Sequence, residues 1–205
     1  MVCFVGWIKN GNIMNVPIAK WWESVKDTDK VLCTLCPRYC KIGDGQRGFC
    51  FIRRNIDGTL YQEGYGKTIG IAVDPIEKKP LNHFLPSSTI LSFGTAGCNL
   101  GCKFCQNWHM SKVKKDDKVS QYVTPKQIVE VAIDRGCKSI AYTYNEPIIF
   151  GEFIIEVSKV ARHSGLKNVM VTNGYITKEA RKEVFQYIDA ANVDLKAFTE
   201  TFYHN

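Results

Sequence analysis

The chain has 205 residues, 45% apolar and 23% charged, which fits one or two folded domains and excludes a disordered or fibrous chain. Lys plus Arg number 27 against 20 Asp plus Glu, a formal charge of +7. Nine cysteines qualify that charge, because seven of them bound to metal as thiolates would cancel much of it, so nucleic acid is not an expected partner. No apolar run reaches the roughly 18 residues that cross a bilayer, so no membrane partner is expected either. The opening Val2–Ile8 run is short, broken by Gly6 and preceded by no basic stretch, which makes a poor signal peptide. Cysteines without a secretory signal argue for metal or redox chemistry in a reducing compartment, the cytoplasm.

In chain order, residues 1–30 read as an N-terminal extension, with Met14 as an alternative start. Residues 31–50 hold four cysteines among Gly, Pro and Arg, a knuckle-like segment with no core of its own. The segment 31–87 continues through short strands, Thr59–Tyr65 and Lys67–Val73, and then a basic Pro-bracketed stretch, Asp74–Pro86. From residue 88 the pattern becomes regular. Thr89–Phe93 is a short β-rich run. Thr124-Pro125-Lys126-Gln127 is a helix start, with a capping box and Pro at the first helical position. That helix should bury Ile128, Val131 and Ala132 and end at Gly136. Ser139–Tyr144 is a second strand. Ile149–His163 is a helix with Phe153, Val157, Val160 and Ala161 at helical spacing. Asn168–Thr172 is a third strand, Thr177 caps a third helix with Ala180, Val184 and Ile188 inward, and Ala191–Leu195 is a fourth strand. This alternation predicts an α/β core over 88–205 with a parallel sheet and right-handed crossovers.

Cys98-Asn-Leu-Gly-Cys102-Lys-Phe-Cys105 directly follows the first of these strands. Three thiolates within eight residues can wrap one compact inorganic centre. A structural zinc needs a fourth ligand, for which His109 is the nearest candidate. A [4Fe–4S] cube on three cysteines keeps one iron open, and an open position is where chemistry can occur. Spacing alone does not separate the two. In parallel β/α folds function gathers beyond the carboxyl ends of strands. The four ends here carry Cys98–Cys105, Thr143-Tyr144-Asn145-Glu146-Pro147, Thr172-Asn173-Gly174 and Asp194-Leu195-Lys196, so odd polar residues are delivered to one rim.

These residues resemble the radical S-adenosylmethionine (SAM) enzymes, on the segment from Gly97 through Cys105-Gln-Asn-Trp108. More narrowly they resemble those of the AmmeMemoRadiSam system, relatives of the pyruvate formate-lyase activating enzyme. That likeness rests on Cys33-x2-Cys36-Pro-Arg-x-Cys40, Gly48-Phe-Cys50, Asp74-Pro-Ile-Glu-Lys-Lys-Pro-Leu and Cys105-Gln-Asn-Trp, and it spans about residues 31–205. The resemblance implies a partial (β/α)6 barrel in which SAM chelates the open iron and is cleaved reductively to methionine and a 5′-deoxyadenosyl radical. It implies Cys98, Cys102 and Cys105 as cluster ligands, and Phe104 beside the adenine. Glu146 can accept from the SAM ammonium, and Asn145 stands where the family carries glycine. Thr172 and Asn173 match the Thr-Asn of the activating enzymes, near the amino acid and ribose. Lys196 can pair with the SAM carboxylate as a point charge, and Asp194 can bind the ribose or hold Lys196. A low-potential electron donor such as flavodoxin or ferredoxin and a protein substrate are the implied partners.

Cys33, Cys36, Cys40 and Cys50 form a second set of four thiols within 18 residues. Glycines at 43, 45 and 48 allow tight turns around one closed metal. Zinc, an auxiliary iron–sulfur cluster and unmetallated thiols all remain open. Cys3 and Cys137 read as incidental, His83 and His109 as structural hydrogen bonders or substrate contacts, Trp108 as packing rather than a radical relay, and Lys112–Lys118 as a solvated loop that could steer an acidic partner. The rival to an enzyme is a non-catalytic metal module, an electron carrier or an interaction protein. Four strands are too few for a six-stranded arc, so the sequence reads as truncated after strand four.

Overall fold

The structure, a computed structural model, describes residues 4–6, 15–112 and 120–204. Cys3, Met14 and the basic run beyond Lys112 lie outside the described residues.

Five strands form the main sheet: β1 (Gly70–Pro75), β2 (Thr89–Gly94), β3 (Ser139–Tyr142), β4 (Lys167–Thr172) and β5 (Ala190–Val193). The sheet keeps that order from edge to edge. Strands β2 to β5 run parallel, while β1 pairs antiparallel with β2 from Pro75–Thr89 to Gly70–Gly94. Helices α1 (Pro125–Asp134), α2 (Gly151–His163) and α3 (Lys178–Val184) carry the chain between successive parallel strands. This is a mixed α/β fold with the expected alternation. The sequence places β1 in a connecting segment; the structure makes it part of the core sheet, so strand pairing crosses the expected boundary at 87/88.

Strand alternation sorts the two faces. Leu91, Phe93, Ile140, Tyr142 and Met170 pack with Ile128, Phe153, Val157 and Ala161 of the helices. Ile90, Ala141 and Val169 face the other way and join Ile76 in a separate cluster. The helix starts are built as the residue types require. Thr124 and Gln127 complete the capping box around Pro125. Gly136 and Gly165, at φ +65 and +77, close α1 and α2.

Several expectations are corrected. Val131 is 37% exposed and Val129 takes its place in the core. The buried stripe centres on Ala132, and at 100° per residue Val131 falls well to one side of it. The expected helix from Ile149 begins as a single 3-10 turn, Pro147–Phe150, capped by Glu146, before α2 proper. Thr177 stands at the start of α3, but its hydroxyl donates to the carbonyl oxygens of Thr34 (2.8 Å) and Leu35 (3.2 Å), which ties the helix to the cysteine-rich segment. That segment does contribute a core. Val31–Cys33 and Lys41–Ile42 form a three-stranded sheet with Trp22–Ser24 of the expected N-terminal extension, beside a hairpin of Arg53–Ile56 and Thr59–Gln62, so pairing crosses the expected boundary at 30/31 as well. Val31, Leu35, Ile42 and Leu60 bury their side chains together with Ile148 and Ala180. No helix among the described residues is long and apolar enough to cross a membrane.

Candidate active site

The three-cysteine loop begins where β2 ends, and three contacts fix its path. First, Asn145 accepts from the Thr95 backbone N–H at 3.0 Å and donates to the carbonyl oxygen of Gly97 at 2.9 Å. Second, Gly97 has φ +90 and its N–H donates to Met110 O at 2.9 Å; a Cβ there would lie 2.1 Å from the Cys50 carbonyl oxygen. Third, Arg38 Nε donates to Asn99 O at 2.5 Å. The four-cysteine segment is therefore packed directly against the three-cysteine loop.

Cys98, Cys102 and Cys105 line one cavity of about 830 Å³, together with Phe104, Asn145, Glu146, Thr172, Asn173, Asp194 and Lys196. All ten residues singled out at the strand ends meet there. Their roles in the protein fabric differ. Both Asn145 amide donors are committed to the loop at Thr95–Gly97, so this residue positions cysteines and offers the cavity no free N–H. Glu146 is buried and accepts from Thr172 Oγ1 (2.5 Å), Asn173 N (2.8 Å) and Ile148 N (3.1 Å). One lone-pair position on Oε2 stays open. Burial pushes the Glu146 carboxyl up to about 7, against the pull of those hydrogen bonds. Asn173 Nδ2 donates to Asn99 Oδ1 at 2.8 Å. Lys196 Nζ and Asp194 Oδ2 pair at 2.9 Å. Burial alone would lower the Lys196 ammonium, but Asp194 outweighs it and raises the group above its ordinary value. Phe104 is 61% exposed and stacks on Phe202 at 6.0 Å.

Burial pushes the Cys98 thiol up to about 12, with the Glu146 charge adding to it. Cys102 is raised by burial too, opposed by Lys196. His109 is not among the cavity-lining residues, and its ring sits edge-on to Trp108. Trp108, expected as packing, is 65% exposed. His83 is exposed, and Cys137 is buried in the main core.

Cys33, Cys36, Cys40 and Cys50 line a second, nearly closed void of about 20 Å³ shared with Arg53 and Asn99. Burial pushes the Cys36 and Cys50 thiols to about 12, and the Arg53 charge works against that shift. Arg53 is held by both Glu152 oxygens at 2.7 Å and by the carbonyl oxygens of Lys20 and Ile149. Among the described residues no three Cys, His, Asp or Glu side chains are gathered closely enough to hold a metal ion as they stand.

Sequence reasoning missed Lys78, Lys79, Asn107 and Ser111, which also line the larger cavity. Lys78 and Lys79 belong to the Asp74–Leu81 string, whose first two residues pair antiparallel with β2, a contact invisible to local periodicity. Asn107 Nδ2 donates to Tyr144 O at 2.7 Å, linking two rim loops.

The fold and site define an α/β protein with three thiols and an acid–amide–lysine set gathered at the carboxyl ends of four parallel strands. The family model described as the Radical SAM superfamily matches residues 93–205, and the chain belongs to that superfamily. It is 48% identical over 178 residues to an uncharacterized protein of Methanocaldococcus jannaschii, covering 87% of this chain and 53% of that protein. It is 28% identical to the 7-carboxy-7-deazaguanine synthase of Methanothermobacter thermautotrophicus, over 49% of this chain and 39% of that enzyme. It is 26% identical to the GTP 3′,8-cyclase of Thermodesulfovibrio yellowstonii, over 50% of this chain and 33% of that enzyme. The chain thus spans about half the length, or less, of these relatives. Members of the superfamily bind a [4Fe–4S] cluster and SAM, and the donor set here suits both: three thiols in one cavity whose volume falls in the ~300–1,000 Å³ range of small-molecule sites.

Proposed function

We propose that this chain is the catalytic core of a radical SAM enzyme of the AmmeMemoRadiSam type, related to the activators of glycyl radical enzymes and working in the cytoplasm. The observation that carries this reading is the convergence of Cys98, Cys102 and Cys105 with rim residues of three further strand ends on one cavity. A [4Fe–4S] cluster held by Cys98, Cys102 and Cys105 would supply one electron and one iron without a protein ligand, the chemistry that reductive cleavage of SAM requires.

Every other role belongs to the chain's own side chains. The three cysteines hold the cluster. Asn145, Asn99 and Gly97 set the loop that carries them. The open position on Glu146 Oε2 would accept a hydrogen bond from the SAM amino group, and Thr172 Oγ1 and Asn173 N brace that carboxylate. Lys196, fixed by Asp194, meets the SAM carboxylate. Phe104, presented at the cavity edge, offers an aromatic face to the adenine. A flavodoxin or ferredoxin delivers the electron, and a protein is one class of substrate.

Residues 31–87 form the metal-binding segment in this reading and 88–205 the core. For Cys33, Cys36, Cys40 and Cys50 the reading is one zinc closed on all four sides, with an auxiliary iron–sulfur cluster as its rival. Anaerobic iron, labile sulfide and zinc analysis of the reconstituted chain tests both assignments. About four irons with four sulfides plus one zinc per chain supports them; zinc without sulfide refutes the catalytic reading and leaves a non-catalytic metal module.

A further inference from the structure

We propose, resting on the radical SAM reading of the cavity, that Lys78 and Lys79 form its anion-binding floor and that the substrate carries a phosphate or carboxylate group held there. Both lysines come from the string Asp74-Pro-Ile-Glu-Lys-Lys-Pro-Leu, which lies outside the four strand ends that carry the cysteines and the residues proposed above for SAM.

The local fold accounts for the string. Asp74 lies opposite Ile90 in the antiparallel ladder, so both side chains leave the sheet on the face away from the helices. Ile76 is fully buried on that face with Ile90, Ala141 and Val169. Glu77 Oε1 accepts from Ser87 N at 2.6 Å. These contacts pin a single 3-10 turn, Ile76–Lys78, below the cavity. From it Lys78 Nζ and Lys79 Nζ donate to the two oxygens of Asp74, at 2.8 and 2.7 Å. Tyr144 OH adds a third donor at 3.2 Å. Tyr144 sits at φ +72, in the left-handed region, one of several non-glycine residues of this chain that do so.

The charges in this group do not balance. One carboxylate serves two ammonium groups, and Asp74 needs only one of them for neutrality. The Lys79 side chain is 4% exposed yet lines the cavity. Among the described residues Asp74 is the one hydrogen-bond acceptor of either ammonium group; Lys79 Nζ also lies 5.0 Å from the centroid of the Tyr144 ring, and each ammonium keeps N–H donors beyond its bond to Asp74. A buried ammonium with open donors is costly unless an acceptor arrives. Lys196, the third cavity lysine, pairs with its own carboxylate, Asp194. Two adjacent lysine heads act as point charges around a multi-oxygen anion, where a planar fork would instead need arginine. An ion-pair triad serving only to hold β1 would need one lysine, and the second is surplus to that role.

The test is isothermal titration of the full chain with inorganic phosphate and, separately, with malonate, each with and without saturating SAM. The expected result is saturable binding of at least one anion that persists when SAM is present. Lys78→Gln, whose side chain is mostly exposed and whose loss spares the fold, should weaken that binding at least about tenfold. Lys126→Gln, the same charge change on the exposed face of α1, should leave it unaltered. Preference for phosphate or malonate decides between the two anions. No saturable binding of either anion, equal binding by Lys78→Gln, or competitive displacement of the anion by SAM overturns the proposal. Anion binding by a protein without iron or sulfide would keep the floor and remove the radical SAM reading; SAM cleavage without anion binding would do the reverse.

Discussion

Asn173 Nδ2 donates to Asn99 Oδ1 at 2.8 Å, joining the tip of β4 to the residue that follows Cys98. The Asn99 backbone carbonyl is also the acceptor for Arg38, so one residue links the rim, the cysteine loop and the four-cysteine segment. The placement of the cluster ligands therefore depends on side chains that are not themselves ligands.

Asn99→Ala and Asn173→Ala are each expected to cost about 1–2 kcal/mol in stability, the cost of an unmet buried amide. The double variant should show a coupling of at least about 0.5 kcal/mol, because the two side chains share one bond. Chemical denaturation of the four proteins measures this. Strict additivity would mean that the pair is not formed.

Gly97→Ala is expected to destabilise the fold by more than about 3 kcal/mol. The added methyl meets the Cys50 carbonyl oxygen, a backbone atom that cannot step aside, in a left-handed conformation. Gly136→Ala, also left-handed but facing open space, should cost only about 1 kcal/mol. Comparing the two midpoints by thermal unfolding separates steric contact from backbone strain.

Asp74→Asn leaves Lys79 buried beside a neutral partner and is expected to cost about 3 kcal/mol. Burial raises the Asp74 carboxyl, but hydrogen bonds from Lys78 and Lys79 outweigh it and hold the group well below its ordinary 3.8. A depressed carboxyl contributes stability that is complete above the ordinary value and is withdrawn as pH falls below it. The parent should therefore lose stability below about pH 4 more steeply than Asp74→Asn. Parallel unfolding curves across that range would contradict the ion-pair assignment.

Cys36→Ser is expected to remove one zinc per chain and leave iron and sulfide unchanged in amount. Loss of iron in step with zinc would place an iron–sulfur centre at the four-cysteine site instead.

The strands β2 to β5 and their helices are legible in the sequence because each announces itself locally, as in the capping box at Thr124–Gln127 and the glycines closing α1 and α2. The cysteine loop is legible by spacing. What stays hidden is non-local. The antiparallel place of β1 depends on a partner found only in the fold. Arg38 finds its acceptor 61 residues away, and Thr177, which looks like an ordinary helix cap, turns its hydroxyl to Thr34. Val131 and Val129 differ by a rotation of the helix that only packing decides. Asn145 is chemically able to contact a ligand, and only its committed amide reveals a positioning role.

The most direct test is formation of 5′-deoxyadenosine from SAM by the anaerobically reconstituted chain with a strong one-electron reductant, quantified by chromatography. The expected result is 5′-deoxyadenosine and methionine in equal amounts, abolished in Cys98→Ala, Cys102→Ala and Cys105→Ala. SAM left intact by a protein carrying its full complement of iron and sulfide would contradict the account.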